Sequence, residues 1–80
     1  MPSSIFTDRH QAFISFLAAA RKEAGLTQVE LATRLGKPQS YVSKVERGER
    51  RIDVIEFCQI AEALRFDPAH LLHQFGELKR

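Results

Sequence analysis

The sequence predicts an all-α chain of five helices joined by short turns. Apolar residues recur at spacings of three and four, and no stretch alternates as a half-buried strand would. Two hydroxyl or carboxylate caps are each followed three residues later by glutamate, and Gly or Asp-Pro breaks separate the periodic stretches. Eighty residues, 44% of them hydrophobic and 28% charged, have the composition of one small globular domain.

The first helix is expected from about Asp8 to Ala24, with Thr7 as its N-cap and Gly25 as its terminator. Phe13, Leu17, Ala20 and Ala24 form its apolar stripe, and Ile14 and Phe16 widen it. The second helix opens on the capping box Thr27-Gln-Val-Glu30, runs through Val29, Leu31, Ala32 and Leu35, and stops at Gly36. In the third, Pro38 takes the first helical position, where its missing N–H costs nothing; Val42 and Val45 face inward and Gly48 ends it. The fourth carries a second capping box, Asp53-x-x-Glu56, and an inner face of Phe57, Ile60, Ala61 and Leu64. The fifth, about 67–78, starts at Asp67-Pro68 and contributes Leu71, Leu72 and Phe75. No repeat or linker divides residues 1–80, so one domain is expected.

Twelve Lys and Arg against ten Asp and Glu give a net charge of only +2. The average hides a local excess. Between Arg34 and Arg51 lie six basic residues (Arg34, Lys37, Lys44, Arg47, Arg50, Arg51) and two acidic ones (Glu46, Glu49). That third of the chain is poised for an anion. A single cysteine, Cys58, excludes an intramolecular disulfide framework and fits a reducing cytosol. The apolar stretch Ala12–Ala20 is about half the ~20 residues of a membrane span and follows no basic leader, so a cytoplasmic protein without a membrane partner is expected.

Helices two and three, with a glycine-containing turn between them, form a helix-turn-helix over about residues 27–48. Ala32 is small enough to let the pair cross closely, and Leu35 and Val42 fill the crossing. The outer face of the second helix of the pair is then Gln39, Ser40, Ser43, Lys44 and Arg47. All are hydrogen-bonding side chains, suited to base edges and phosphates in a major groove about 12 Å wide.

The run G-L-T-Q-V-E-L-A (residues 25–32), the following L-G and the ending S-K-V-E-R-G (residues 43–48) resemble the Cro and phage-repressor type, or XRE, family of helix-turn-helix transcriptional regulators. The resemblance extends from about Phe13 to Leu72. It implies a five-helix phage-repressor-like domain that binds double-stranded operator DNA. Gln39 and Ser40, with Lys44 one turn on, would read bases, glutamine pairing with adenine and lysine with guanine. Gln28, Tyr41, Ser43, Arg47, Arg50 and Arg51 would contact the DNA backbone. It also implies a structural ion pair between Arg21 and Glu46, and a homodimer on an inverted repeat. Ile14, Phe75 and Leu78 are the dimer candidates, because the apolar side chains, with Ile5, Phe6, Phe66 and Leu72, exceed the needs of so small a core.

The rival from another class is an antitoxin or other protein-interaction module with a toxin as partner; an activator would in addition touch RNA polymerase. Glu30, Asp53 and Glu56 read as caps rather than a catalytic carboxylate set. His70 and His73 lack a third ligand nearby in sequence, and no phosphate loop or nucleophile elbow is present. Neither an enzyme, a metal site nor a cofactor is expected.

Overall fold

A computed structural model describes the backbone of residues 2–78 and the side chains of residues 8–78. The five helices are α1 Pro2–Glu23, α2 Gln28–Leu35, α3 Gln39–Glu46, α4 Val54–Ala63 and α5 Pro68–Leu78. The first helix therefore starts six residues before Asp8. Nothing between Pro2 and Asp8 breaks a helix, and proline is tolerated in the first turn. Thr7 thus lies inside α1 rather than at its cap; its side chain, like those of Ile5 and Phe6, is outside the described ones.

Each later boundary follows from local chemistry. At α2 the Glu30 amide donates to Thr27 Oγ1 (3.1 Å) and the Thr27 amide donates to Glu30 Oε1 (2.8 Å). At α4 the Asp53–Glu56 pair does the same at 2.7 and 3.0 Å. Gly36, at φ +69°, turns the chain out of α2 in a conformation that favours glycine. Pro38 occupies the cap of α3 in extended geometry rather than its first helical position. Arg65 ends α4 with φ +66°, the one non-glycine residue in left-handed geometry among those described. The Phe66 amide there donates to the Ala61 carbonyl (2.9 Å), closing the helix as a glycine terminator would.

The core gathers Leu17 and Ala20 of α1, Leu31 and Ala32 of α2, Val42 and Val45 of α3, Phe57, Ile60, Ala61 and Leu64 around α4, and Leu71 of α5. An aromatic seam ties α1 to α4 and α5, with Phe13 5.8 Å from Phe57 and 5.2 Å from Phe75, and Phe16 5.5 Å from Phe75. Two assignments of surplus apolar bulk change. Ile14 is buried, 2% exposed, because the turn after α3 folds over it, so it is core and not a dimer contact. Leu72, expected inside, is 52% exposed, since its neighbour Leu71 takes the inward position. Phe75 is half-buried in the aromatic seam, and Leu78 stands exposed.

Further apolar surface is left open on α4. Val54 and Ile55, in the first turn of α4, are 73% and 66% exposed. Val54 and Leu72 line an open groove of about 160 Å³ with Phe13, Ile52, Asp53 and Phe57. No helix among the described residues is long and apolar enough to cross a membrane.

Candidate nucleic-acid interface

α2 and α3 are eight residues each and meet through Leu31, Ala32, Val42 and Val45, all buried. Burying that side forces the polar residues of α3 outward: Gln39, Ser40, Lys44 and Arg47 are exposed and Ser43 half-exposed. Behind this face lies a buried ion pair. Arg21 donates from Nε to Glu46 Oε2 (2.7 Å) and from Nη2 to Glu46 Oε1 (3.0 Å), and from Nη1 to the Leu26 carbonyl (2.8 Å). The two side chains are only 10% and 11% exposed. The pair thus clamps the end of α1 to the end of α3 across 25 residues of sequence.

The clamp extends to the surface. Gln28, the first residue of α2, donates from Nε2 to Glu46 Oε1 (2.8 Å), and Gln39 donates from Nε2 to Gln28 Oε1 (3.4 Å). Glu46, an acceptor only, thereby sets which end of the Gln28 amide faces outward, and Gln28 in turn orients Gln39. A buried carboxylate and an outward amide become one chain of hydrogen bonds. Ser43 donates to the Ser40 carbonyl and receives Arg47 Nη1 (3.3 Å).

The arginines expected along phosphate are already engaged. Arg47 grips Glu49 with both Nε (3.0 Å) and Nη2 (3.1 Å). This contact holds the Glu49 carboxyl below its usual range and pushes the Arg47 guanidinium further up. Arg50 donates to Glu56 Oε2 (2.9 Å) and to the Arg51 carbonyl (2.6 Å), and its guanidinium lies 4.8 Å over the Tyr41 ring. Glu56 is likewise held low, first by the Asp53 amide and then by Arg50. Tyr41, 8% exposed, has its ring in the core's edge, with Lys37 Nζ 5.2 Å from the ring centre; burial raises its hydroxyl pKa. Arg51 is exposed, and its charge together with burial lowers the His10 pKa, burial acting more strongly.

Sequence reasoning passed over four of these roles. Glu49 and Glu56 as arginine partners had no signal beyond charge, because both pairs close across a turn. Lys37 over Tyr41, four residues apart, was legible in principle. Arg34, counted with the basic run, donates to the Ala63 carbonyl (2.7 Å) and so caps the last turn of α4. Among the described residues no three His, Cys, Asp or Glu side chains gather as a metal site, and His70 and His73 are exposed on α5.

The profile described as helix-turn-helix matches residues 17–71. An uncharacterised helix-turn-helix-type transcriptional regulator of Sinorhizobium fredii is 46% identical over 50 residues, which is 62% of this chain. The match spans 65% of that regulator's own length, just under two thirds. Among solved structures, an XRE-family-like protein from Pseudomonas syringae pv. tomato superposes with a TM-score of 0.88 at 46% identity, covering 99% of this chain and 96% of the other. The restriction-modification controller protein C.AhdI from Aeromonas hydrophila gives 0.70 at 35% identity, covering 78% and 94%.

Proposed function

The chain belongs to the XRE-type helix-turn-helix family of DNA-binding transcriptional regulators, and on that premise we propose that it acts as a homodimer on an inverted-repeat operator. The observation that carries the reading is the outward polar face of α3, held in orientation from behind by the Arg21–Glu46–Gln28–Gln39 chain of hydrogen bonds. In the complex α3 lies in the major groove. Gln39 offers a carbonyl acceptor and an amide donor to adenine, Ser40 adds an adaptable hydroxyl, and Lys44 donates to guanine one turn further on. Arg47, Arg50 and Arg51, with Gln28, Ser43 and the Tyr41 hydroxyl, follow the backbone. These contacts fix register and carry no sequence information themselves. Such a ligand places the working protein in the cytoplasm.

Pairing uses the face of Val54, Ile55 and Leu72 rather than Ile14. Projecting side chains and a groove able to receive them share this surface, the condition for a self-complementary twofold contact. Leu78, at the far end of α5, extends the same kind of apolar exposure. A second copy is the occupant that the proposed inverted repeat requires; in the antitoxin reading a toxin would cover the patch instead.

The test is a gel-shift series at two salt concentrations. Gln39→Ala changes the order of preference among duplexes. Arg51→Ala weakens all of them alike and lowers the slope of log K against log salt by about one. Binding indifferent to both substitutions would remove this interface.

A further inference from the structure

Glu49 has no part in the contacts assigned above, yet it holds one of the arginines that make them. Both of its carboxylate oxygens accept from Arg47, at 3.0 and 3.1 Å, in the two-pronged geometry that a phosphate takes from a guanidinium. The pairing is built by the turn. Gly48, at φ +80°, reverses the chain directly after α3, and the Glu49 amide donates back to the Lys44 carbonyl (2.8 Å). The carboxylate is thereby returned to the side chain two residues before it.

The Arg50–Glu56 pair differs in kind. Glu56 also closes the α4 capping box, and Arg50 is half-buried against Tyr41, so that pair is part of the fold. Arg47 and Glu49 are each more than half exposed, at 56% and 55%. Exposed pairs of this type are weak and screened by salt, and open when a better anion is offered in the right place.

We propose that Glu49 competes with operator phosphate for Arg47 and so holds the affinity of the seated complex below what the basic face alone would give. The proposal rests on the DNA-binding reading above. On an unmatched duplex the protein docks loosely, and the guanidinium keeps its intramolecular carboxylate. Only where Gln39 and its neighbours match their bases is α3 seated in a register that presents a phosphate to Arg47 and displaces Glu49. Seating on the operator breaks the pair and costs its free energy, whereas a random duplex that leaves the pair closed forgoes only the weaker contact Arg47 would have made there.

The experiment is fluorescence anisotropy on the full chain with two probes: a random-sequence duplex, and the duplex most enriched by the wild-type protein from a random library. Glu49→Gln is expected to tighten the enriched duplex by up to about fivefold at low salt, and the random duplex by no more than that. In the Arg47→Ala background the effect of Glu49→Gln on the enriched duplex is expected to vanish. A random duplex that tightens more than the enriched one would overturn the proposal, as would a gain that persists without Arg47 and so reports one unit of bulk charge. Weaker binding of both would make Glu49 a support for Arg47, which also overturns it. Wild-type protein that binds neither duplex would overturn the DNA-binding reading itself, a distinct result.

Discussion

Replacing Arg21 with alanine removes a guanidinium that makes three hydrogen bonds in a site about 10% open to solvent. The Leu26 carbonyl loses a donor and the Glu46 carboxylate loses its counter-charge, keeping only the Gln28 amide. Removing one partner of a buried pair costs about 3–5 kcal/mol, because the charge left behind is not resolvated. The surviving Gln28 contact argues for the lower end, about 3 kcal/mol. Against a total of roughly 4–12 kcal/mol for a domain of this size, that is a quarter to most of the stability. It lowers Tm by about 12–24 °C. Urea unfolding followed by circular dichroism measures it. The companion variant, Arg21→Met with Glu46→Leu, removes both charges at once and is expected to recover most of the loss. A single-variant cost below about 1 kcal/mol, or a double variant no more stable than the single, would refute the idea that this pair is a desolvated clamp.

Other expectations follow from single positions. Gly48→Ala places a Cβ 3.3 Å from Ile14 Cδ1 at φ +80°, so a loss of about 1–2 kcal/mol is expected in the same unfolding assay. Arg65→Gly relieves a left-handed arginine and is expected to raise stability by about 0.5–1 kcal/mol. Burial and then Arg51 depress the His10 pKa below its ordinary 6.5, so folding binds fewer protons than unfolding there. His10's contribution is full above 6.5 and is lost as pH falls through the lower folded value; urea midpoints at neutral and mildly acid pH, compared with His10→Gln, read it. Val54→Asp and Leu72→Asp are expected to shift sedimentation from dimer to monomer while the circular dichroism spectrum holds, whereas Ile14→Asp unfolds the chain.

What the sequence disclosed was what sits close along it. Both capping boxes close within three residues, and the glycine turns need only one backbone preference, so the order of the last four helices could be read directly. Periodicity failed where two apolar residues adjoin. Leu71 and Leu72 are equally apolar, and only the packed neighbour decides which turns inward; Ile14 was misplaced because the turn at Gly48, thirty-four positions later, is what covers it. Arg65 ends a helix with no glycine to announce it. For the candidate interface, the outward face of α3 was legible from burial of its other side. The Arg21–Glu46 pairing entered through family resemblance, since no local rule joins residues 25 apart. The carboxylates on Arg47 and Arg50 required three dimensions.

Base reading by Gln39 on paired half-sites is the core of the proposed function, and it is checked by selecting bound duplexes from a random library. Wild-type protein and Gln39→Ala would be run in parallel. The predicted result is an inverted repeat with half-site centres about 10 base pairs apart, and a Gln39→Ala pool that keeps this spacing but changes base preference within each half-site. A pool with no enriched sequence, or one whose motif is unpaired and identical for both proteins, would contradict it.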